Sequence, residues 1–127
     1  MPFVRITLTK GHNKEFKRHI SQAIHQSLQQ IFRIPVDDYF QVIEELEPDN
    51  LIFPESYMGI PHSNELIYIQ ITAKAGRTVG MKQELYQAIT REITQRTSHS
   101  GDNIIITLIE NDSANWSFGR GIAQLVA

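Results

Sequence analysis

Pro2 is the first residue in the sequence with evident chemical potential, because it directly follows Met1. If Met1 is removed, the ring nitrogen of Pro2 becomes a free secondary amine, which can act as a general base. An ordinary α-amino group has a pKa of about 7.7–8.0, and burial against apolar side chains lowers the pKa of an amine because it disfavours the cation. An amine with a pKa near neutrality suits general acid–base catalysis. The structural alternative is a proline that only begins an edge strand, where no N–H donor is needed.

The other reactive residue types support few further chemistries. The sequence contains no cysteine, which excludes disulfides, thiolate catalysis and cysteine-bound zinc. The five histidines lack the spacing of metal ligands on a helix, so we expect no metal site. Ser98-His99-Ser100 lies in a polar segment without a paired acid, which gives a hydrolase triad little support. Any chemistry must therefore use other groups.

The composition is that of a soluble globular protein, with 41% hydrophobic and 20% charged residues among 127. This length fits one compact domain, residues 1–127. The net charge is −2 and the twelve Lys and Arg are scattered, so we expect no nucleic-acid binding. No apolar run approaches the ~20 residues needed to span a bilayer, so we expect no membrane association and a cytoplasmic location.

The first part of the chain predicts a strand, a helix and a second strand. Apolar and polar side chains alternate over residues 3–9, which is typical of a half-buried strand. Asn13 is suited to cap a helix over residues 13–32, in which apolar residues recur every three or four positions. Pro35 ends this helix, and residues 39–44 form the second strand.

A connector over residues 47–64 contains three of the five prolines, and we expect a short hairpin in it around Ile52-Phe53 and Tyr57-Met58. The strand–helix–strand pattern then recurs, with a strand at residues 66–72, a turn at Gly76-Arg77-Thr78 and the apolar stripe of a second helix. A fourth strand at residues 104–110 precedes a tail, residues 111–127.

The two halves match at a constant offset of 65 residues, which indicates an internal duplication with units of about 2–46 and 66–110. Each unit is long enough for the right-handed crossover that joins parallel strands. We therefore predict an α+β fold in which duplicated β-α-β units form one four-stranded sheet with two helices on one face. An apolar uncovered face would pack against further copies, so we expect a homotrimer. Pro2 corresponds to Ile67, which is internal, so only the first unit can present a free amine.

The sequence resembles the tautomerase superfamily, and within it the malonate semialdehyde decarboxylase-like branch. The resemblance spans nearly the whole chain through five landmarks: Pro2; Ile34-Pro35 with Asp38 and Phe40-Gln41; Gly76-Arg77-Thr78; Ile109-Glu110-Asn111; and Asn115-Trp116-Ser117-Phe118-Gly119-Arg120-Gly121.

The resemblance implies specific roles. Pro2 would be the acid/base catalyst, Asp38 would orient a water or tune the proline, and Arg77 would hold the substrate carboxylate. An apolar wall that lowers the pKa of the proline would consist of Trp116, Phe118 and Leu125.

Where the decarboxylase has the first arginine of its pair, this sequence has Ala75, with Lys74 beside it as a further substrate-binding candidate. The function that follows is a cofactor-independent tautomerase, which interconverts the keto and enol forms of a small carboxylate substrate such as a 2-keto acid. A decarboxylase of a 3-oxo acid such as malonate semialdehyde is one alternative. A non-catalytic trimeric binding protein of the same fold is the other.

Overall fold

The computed structural model describes residues 1–126, and four strands form its main sheet. They are β1 (Phe3–Thr9), β2 (Phe40–Leu46), β5 (Ile67–Lys74) and β6 (Ile104–Asn111), with β3 (Ser56–Tyr57) and β4 (Ile60–Pro61) in a separate hairpin. The order across the main sheet is β2-β1-β5-β6. The β1–β2 and β5–β6 pairs are parallel, whereas β1 and β5 are antiparallel. This mixed sheet confirms the predicted fold class.

Two helices, α1 (Lys14–Ser27) and α2 (Val79–Arg96), pack on one face of the sheet. Successive residues of a strand point to opposite faces of the sheet, so every second side chain of the central strands faces the two helices. Fully burying an aliphatic side chain stabilises the fold by roughly 1.5–3 kcal/mol, so this layer is the main source of stability. The buried residues of this core include Val4, Ile6, Leu8, Ile20, Ile24, Ile67, Ile69, Ile71, Leu85, Ile89 and Ile93.

The two β-α-β units repeat each other in their helix caps. The Asn13 side chain accepts a hydrogen bond from the backbone N–H of Phe16 at 2.8 Å. The Thr78 hydroxyl, 65 residues later, accepts from the N–H of Met81 at 3.1 Å. Each cap satisfies an N–H that a helix start leaves without an internal partner. The duplication therefore fixes the start of both helices in the same way.

An ion pair between helix and edge strand is also repeated. Lys17 Nζ lies 2.8 Å from Glu45 Oε1, and Lys82 Nζ lies 2.9 Å from Glu110 Oε1, again 65 residues apart. The hydrogen bond from Lys17 holds the pKa of Glu45 below its ordinary value. The repeat thus extends from the backbone to matched side-chain contacts.

The first helical segment does not end as a regular α-helix. Residues Leu28–Phe32 form a π-helical turn, and Arg33 follows in the left-handed region with φ of 57°. This turn lies within the helix predicted over residues 13–32. The π-helical turn places the buried ring of Phe32 at the end of the sheet where β1 begins.

The small hairpin differs from the expected one. Its strands are 56–57 and 60–61, and not segments around Ile52-Phe53 and Tyr57-Met58. Met58 and Gly59 form the two-residue turn with φ of 52° and 79°. Two-residue hairpin turns that match the strand twist require such positive φ values, which places the turn at Met58-Gly59.

The face of the sheet away from the helices carries a mixture of side chains. Phe40, Val42 and Ile109 are exposed there, whereas Arg5 and Glu44 form an ion pair at 2.7 Å on the same face. The uncovered face is therefore apolar in part. Within residues 1–126, no helix has both the length and the apolarity needed to cross a membrane.

Candidate active site

The predicted site residues lie at one end of the sheet, because of the strand directions. Strands β1 and β2 begin at this end, since Phe3 pairs with Phe40. Strands β5 and β6 finish there, since Phe3 also pairs with Thr72, near the last residue of β5. Pro2 therefore lies at the same end as the turns that follow the last residues of β5 and β6.

Asp38 faces the amino terminus of the chain. Its Oδ2 lies 2.5 Å from the terminal amine of Met1, and its side chain is only 15% exposed. The neighbouring Asp37 is exposed. Of the two adjacent carboxylates, Asp38 is therefore the one directed at the terminus. Pro2 is buried, and with Met1 attached its nitrogen is an amide.

The segment that carries Asp38 is held against α1. The backbone N–H of Asp38 donates to the carbonyl of Pro35 at 3.1 Å. The ring of His25 lies with its Nε2 2.8 Å from the Val36 carbonyl, to which it donates, and it packs edge-on against Tyr39. These contacts fix the loop on both sides of the carboxylate. Sequence reasoning missed His25, because its helical position gives no signal that a loop ten residues later lies beside it.

Arg77 is anchored by two carbonyls and an aromatic ring. Its Nη1 donates to the carbonyl of Lys74 at 2.8 Å, and its Nη2 donates to that of Phe32 at 3.5 Å. The guanidinium carbon lies 4.7 Å from the centre of the Phe32 ring, a cation–π distance. Gly76, with φ of 127°, forms the turn that precedes Arg77. A guanidinium has five N–H donors, so these two bonds leave others to receive a carboxylate.

Lys74 and Ala75 lie beside this turn. Lys74 pairs with Asn111 at the end of the sheet and is exposed, so its side chain belongs to the uncovered face. Among residues 1–126, no ion pair involves its ammonium. Lys74 contacts Arg77 through its backbone carbonyl, and the neighbouring Ala75 contributes no charged side chain.

The tail crosses this end of the sheet from the β6 edge to the β2 edge. Trp116 Nε1 donates to Asn111 Oδ1 at 2.8 Å. The Trp116 and Phe118 rings stack with centroids 5.5 Å apart at 7°, and Phe118 lies 6.0 Å from Phe40 on β2. Because β6 and β2 are opposite edges, these rings form an aromatic row across the sheet. Phe40 is a member of the row that the predicted wall did not include.

A glutamine closes the last loop of the tail. Gln124 Oε1 accepts from the N–H of Phe118 at 2.9 Å, and its Nε2 donates to the carbonyl of Gly119 at 3.2 Å. Leu125 follows directly and is 37% exposed. The loop therefore returns the predicted wall residue Leu125 to the neighbourhood of Phe118. Within residues 1–126, no group of three or more His, Asp or Glu side chains could hold a metal ion.

Comparison with known proteins identifies the class to which this fold and site belong. The sequence model of a family described as "Tautomerase enzyme" matches residues 38–119, and a second model with the same description matches residues 2–58. The chain belongs to the tautomerase family and is an enzyme of that family.

Individual relatives define its branch. The chain is 36% identical over 126 residues to the probable tautomerase YusQ of Bacillus subtilis (strain 168), covering 99% of both chains. It is 25% identical to the probable tautomerase YrdN of the same organism, covering 99% of this chain and 97% of that protein. Among solved structures, FG41 malonate semialdehyde decarboxylase inhibited by 3-bromopropiolate is 33% identical with a TM-score of 0.91, covering 98% of this chain and 94% of that one. The chain thus belongs to the malonate semialdehyde decarboxylase-like branch.

Proposed function

We propose that the protein is a cofactor-independent keto–enol tautomerase of a small 2-keto acid or enol carboxylate, with the amine of Pro2 as acid/base catalyst. The observation that supports this most strongly is the 2.5 Å contact between the terminal amine and Asp38. Removal of Met1 would move the terminus back by one residue, about 3.8 Å along the chain. The free amine would then belong to the buried Pro2, one residue from the atom that Asp38 contacts.

In the proposed reaction, the neutral Pro2 amine removes a proton from the carbon next to the substrate carbonyl. The electron pair of the broken C–H bond forms the enolate, and the new ammonium then protonates the carbonyl oxygen to give the enol. Asp38 stabilises the ammonium between these two transfers. Arg77 binds the substrate carboxylate through two parallel hydrogen bonds. The aromatic row formed by Phe40, Phe118 and Trp116 supplies apolar surface beside the reacting carbon.

Decarboxylation of a 3-oxo acid is the second candidate, favoured by the similarity to the FG41 malonate semialdehyde decarboxylase. In that reaction a cationic Pro2 would polarise the carbonyl oxygen while the C–C bond to the carboxylate breaks and carbon dioxide leaves. The two reactions need opposite protonation states of Pro2. Because Ala75 supplies no second guanidinium, the tautomerase remains the first proposal.

We also propose that the chain acts as a single domain within a cytoplasmic homotrimer. Exposed apolar side chains at both edges of the uncovered face, Phe40 and Val42 on β2 and Ile109 on β6, support association, since apolar groups gain stability when a second copy covers them. Light scattering at micromolar concentration should give three times the chain mass. A monomer would contradict this part of the proposal.

The test of function compares the chain that begins at Pro2 with its Pro2→Ala variant. We expect the parent to convert the enol of phenylpyruvate to the keto form, and the variant to have a kcat lower by about 10²-fold, within the range for general acid–base catalysis. Equal rates would exclude Pro2 as the catalyst. Release of carbon dioxide from malonate semialdehyde, without tautomerase activity, would favour the second candidate.

A further inference from the structure

A cavity of about 420 Å³ lies at the end of the sheet opposite to Pro2, where β1 ends and β5 begins. Two imidazoles, those of His12 and His99, line it together with the carboxylate of Glu65. The hydroxyl-bearing residues Ser98 and Ser100 also contribute to its wall. None of these residues has a part in the proposed reaction.

The duplication makes this cavity the counterpart of the candidate active site. At the offset of 65 residues, His12 corresponds to Arg77, and Asn103 corresponds to Asp38. The local backbone repeats as well. The N–H of Asn103 donates to the Ser100 carbonyl at 3.1 Å, as the N–H of Asp38 does to its own residue i−3 at 3.1 Å. The two ends of the sheet therefore have the same backbone frame with different side chains.

This cavity lacks a terminal amine. Asp38 receives the amino terminus, whereas Asn103 Oδ1 accepts the backbone N–H of Ser63 at 2.9 Å. Ile67 stands at the position of Pro2, inside the chain. Proline-based acid–base chemistry is therefore absent from this end.

The charge of this cavity also differs from that of the candidate active site. An imidazole, His12, replaces the guanidinium of Arg77. Glu65, which lies just before β5, adds a carboxylate 3.8 Å from His12 Nε2. When the His12 ring is neutral, Glu65 carries the one formal charge among the lining residues, which favours a ligand with a positive charge.

The remaining groups accept hydrogen bonds or offer aromatic surface. His99 is buried, and its Nε2 donates to the Asn103 carbonyl at 3.2 Å, so the Nδ1 of the neutral ring is an acceptor. The His12 ring stacks on Phe16 with centroids 4.3 Å apart at 16°. A donor group and a flat apolar group on one ligand would match these two features.

We propose that this cavity binds a small organic ammonium compound with an aromatic or other apolar group. The Glu65 carboxylate is the counter-ion, and His99 Nδ1 accepts a further ammonium hydrogen. The apolar group packs against His12 and Phe16. Binding at this end is independent of Pro2 and adds a ligand class opposite in charge to the carboxylate substrate.

Three matched probes test the proposal: benzylammonium, benzyl alcohol and benzoate, which share a ring and differ in charge. Each is titrated into the full chain while NMR follows the ring Cε1–H signals of His12 and His99. We expect saturable shifts of both signals with benzylammonium, binding weaker by roughly ten-fold with benzyl alcohol, and none with benzoate.

Two variants identify the counter-ion. Glu65→Gln should weaken benzylammonium binding by roughly ten-fold, whereas Glu47→Gln, which removes an exposed carboxylate outside the cavity, should leave it unchanged. Pro2→Ala should bind benzylammonium as tightly as the parent does. This test of binding is therefore independent of whether Pro2 is the catalyst. Benzoate binding as tight as benzylammonium, equal affinity in Glu65→Gln, or no saturable shift with any probe would overturn the proposal.

Discussion

Asp38 Oδ2 and the terminal amine of Met1 lie 2.5 Å apart, so the carboxylate that enters β2 is already directed at the amino terminus of β1. The parallel pairing of β1 and β2 produces this contact, because it brings the first residues of both strands together. A carboxylate at this position stabilises a cationic amine. Asp38 makes this contact, whereas the neighbouring Asp37 is exposed.

Asp38→Asn should therefore lower kcat/KM for phenylpyruvate enol by about 10-fold to 100-fold, as expected for loss of a hydrogen bond to a charged group. The matched control is Asp37→Asn, which removes the same charge from an exposed side chain one residue away. Steady-state kinetics of both variants measure the difference. Equal losses in the two variants would indicate a general charge effect without a specific role for Asp38.

Arg77→Ala should reduce kcat/KM for a carboxylate substrate by a similar factor, because a charged hydrogen-bond partner is worth about 1.5–3 kcal/mol. The methyl ester of the same substrate should show no such loss, since it lacks the carboxylate that Arg77 binds. Arg91→Ala, on the exposed side of α2, is the control. If acid and ester lost activity equally, Arg77 would support the fold of the site and would not bind the carboxylate.

Gly76→Ala should destabilise the protein by about 1 kcal/mol or more, because φ of 127° is unfavourable for any residue with a Cβ. The same change should raise KM by displacing Arg77. Gly80→Ala makes a fair comparison, since Gly80 lies in α2 without positive φ and its added Cβ would meet only Thr78 Oγ1 at 3.9 Å. We expect the free energy of unfolding of Gly80→Ala to increase by about 0.4–1 kcal/mol. Urea unfolding of both variants is the measurement.

Glu45→Gln should remove a small part of the stability near neutral pH and none at acid pH. The hydrogen bond from Lys17 lowers the pKa of Glu45 in the folded state, so its contribution is present above the unfolded pKa and is lost as pH falls through the folded pKa. Urea midpoints of parent and variant should differ near neutral pH and converge below the ordinary glutamate range. A difference that grows on acidification would contradict the assignment.

Local patterns in the sequence predicted most of the fold. Alternation located the central strands, and the equivalent positions of Asn13 and Thr78 located both helix starts. The hairpin was misplaced because a turn at Met58-Gly59 requires a non-glycine residue with positive φ, which no propensity favours at Met58.

The site was predicted less completely, because several of its contacts join distant parts of the chain. The ring of Phe32 beneath Arg77 depends on a π-helical turn that has no sequence signal. The approach of Phe118 to Phe40 depends on the tail crossing the whole sheet. Hydrophobic periodicity in the sequence assigns residues to a face of one helix or strand. It does not predict which loops and tail segments contact each other outside the sheet.

The most direct test of the central claim compares two chains with identical side chains after Met1. One begins at Pro2 and the other retains Met1, each verified by mass spectrometry. Retention of Met1 turns the nitrogen of Pro2 into an amide without a basic lone pair. We predict tautomerisation of phenylpyruvate enol by the chain that begins at Pro2, and a kcat/KM lower by at least about 10²-fold for the other. Equal kcat/KM values would contradict catalysis by the Pro2 amine.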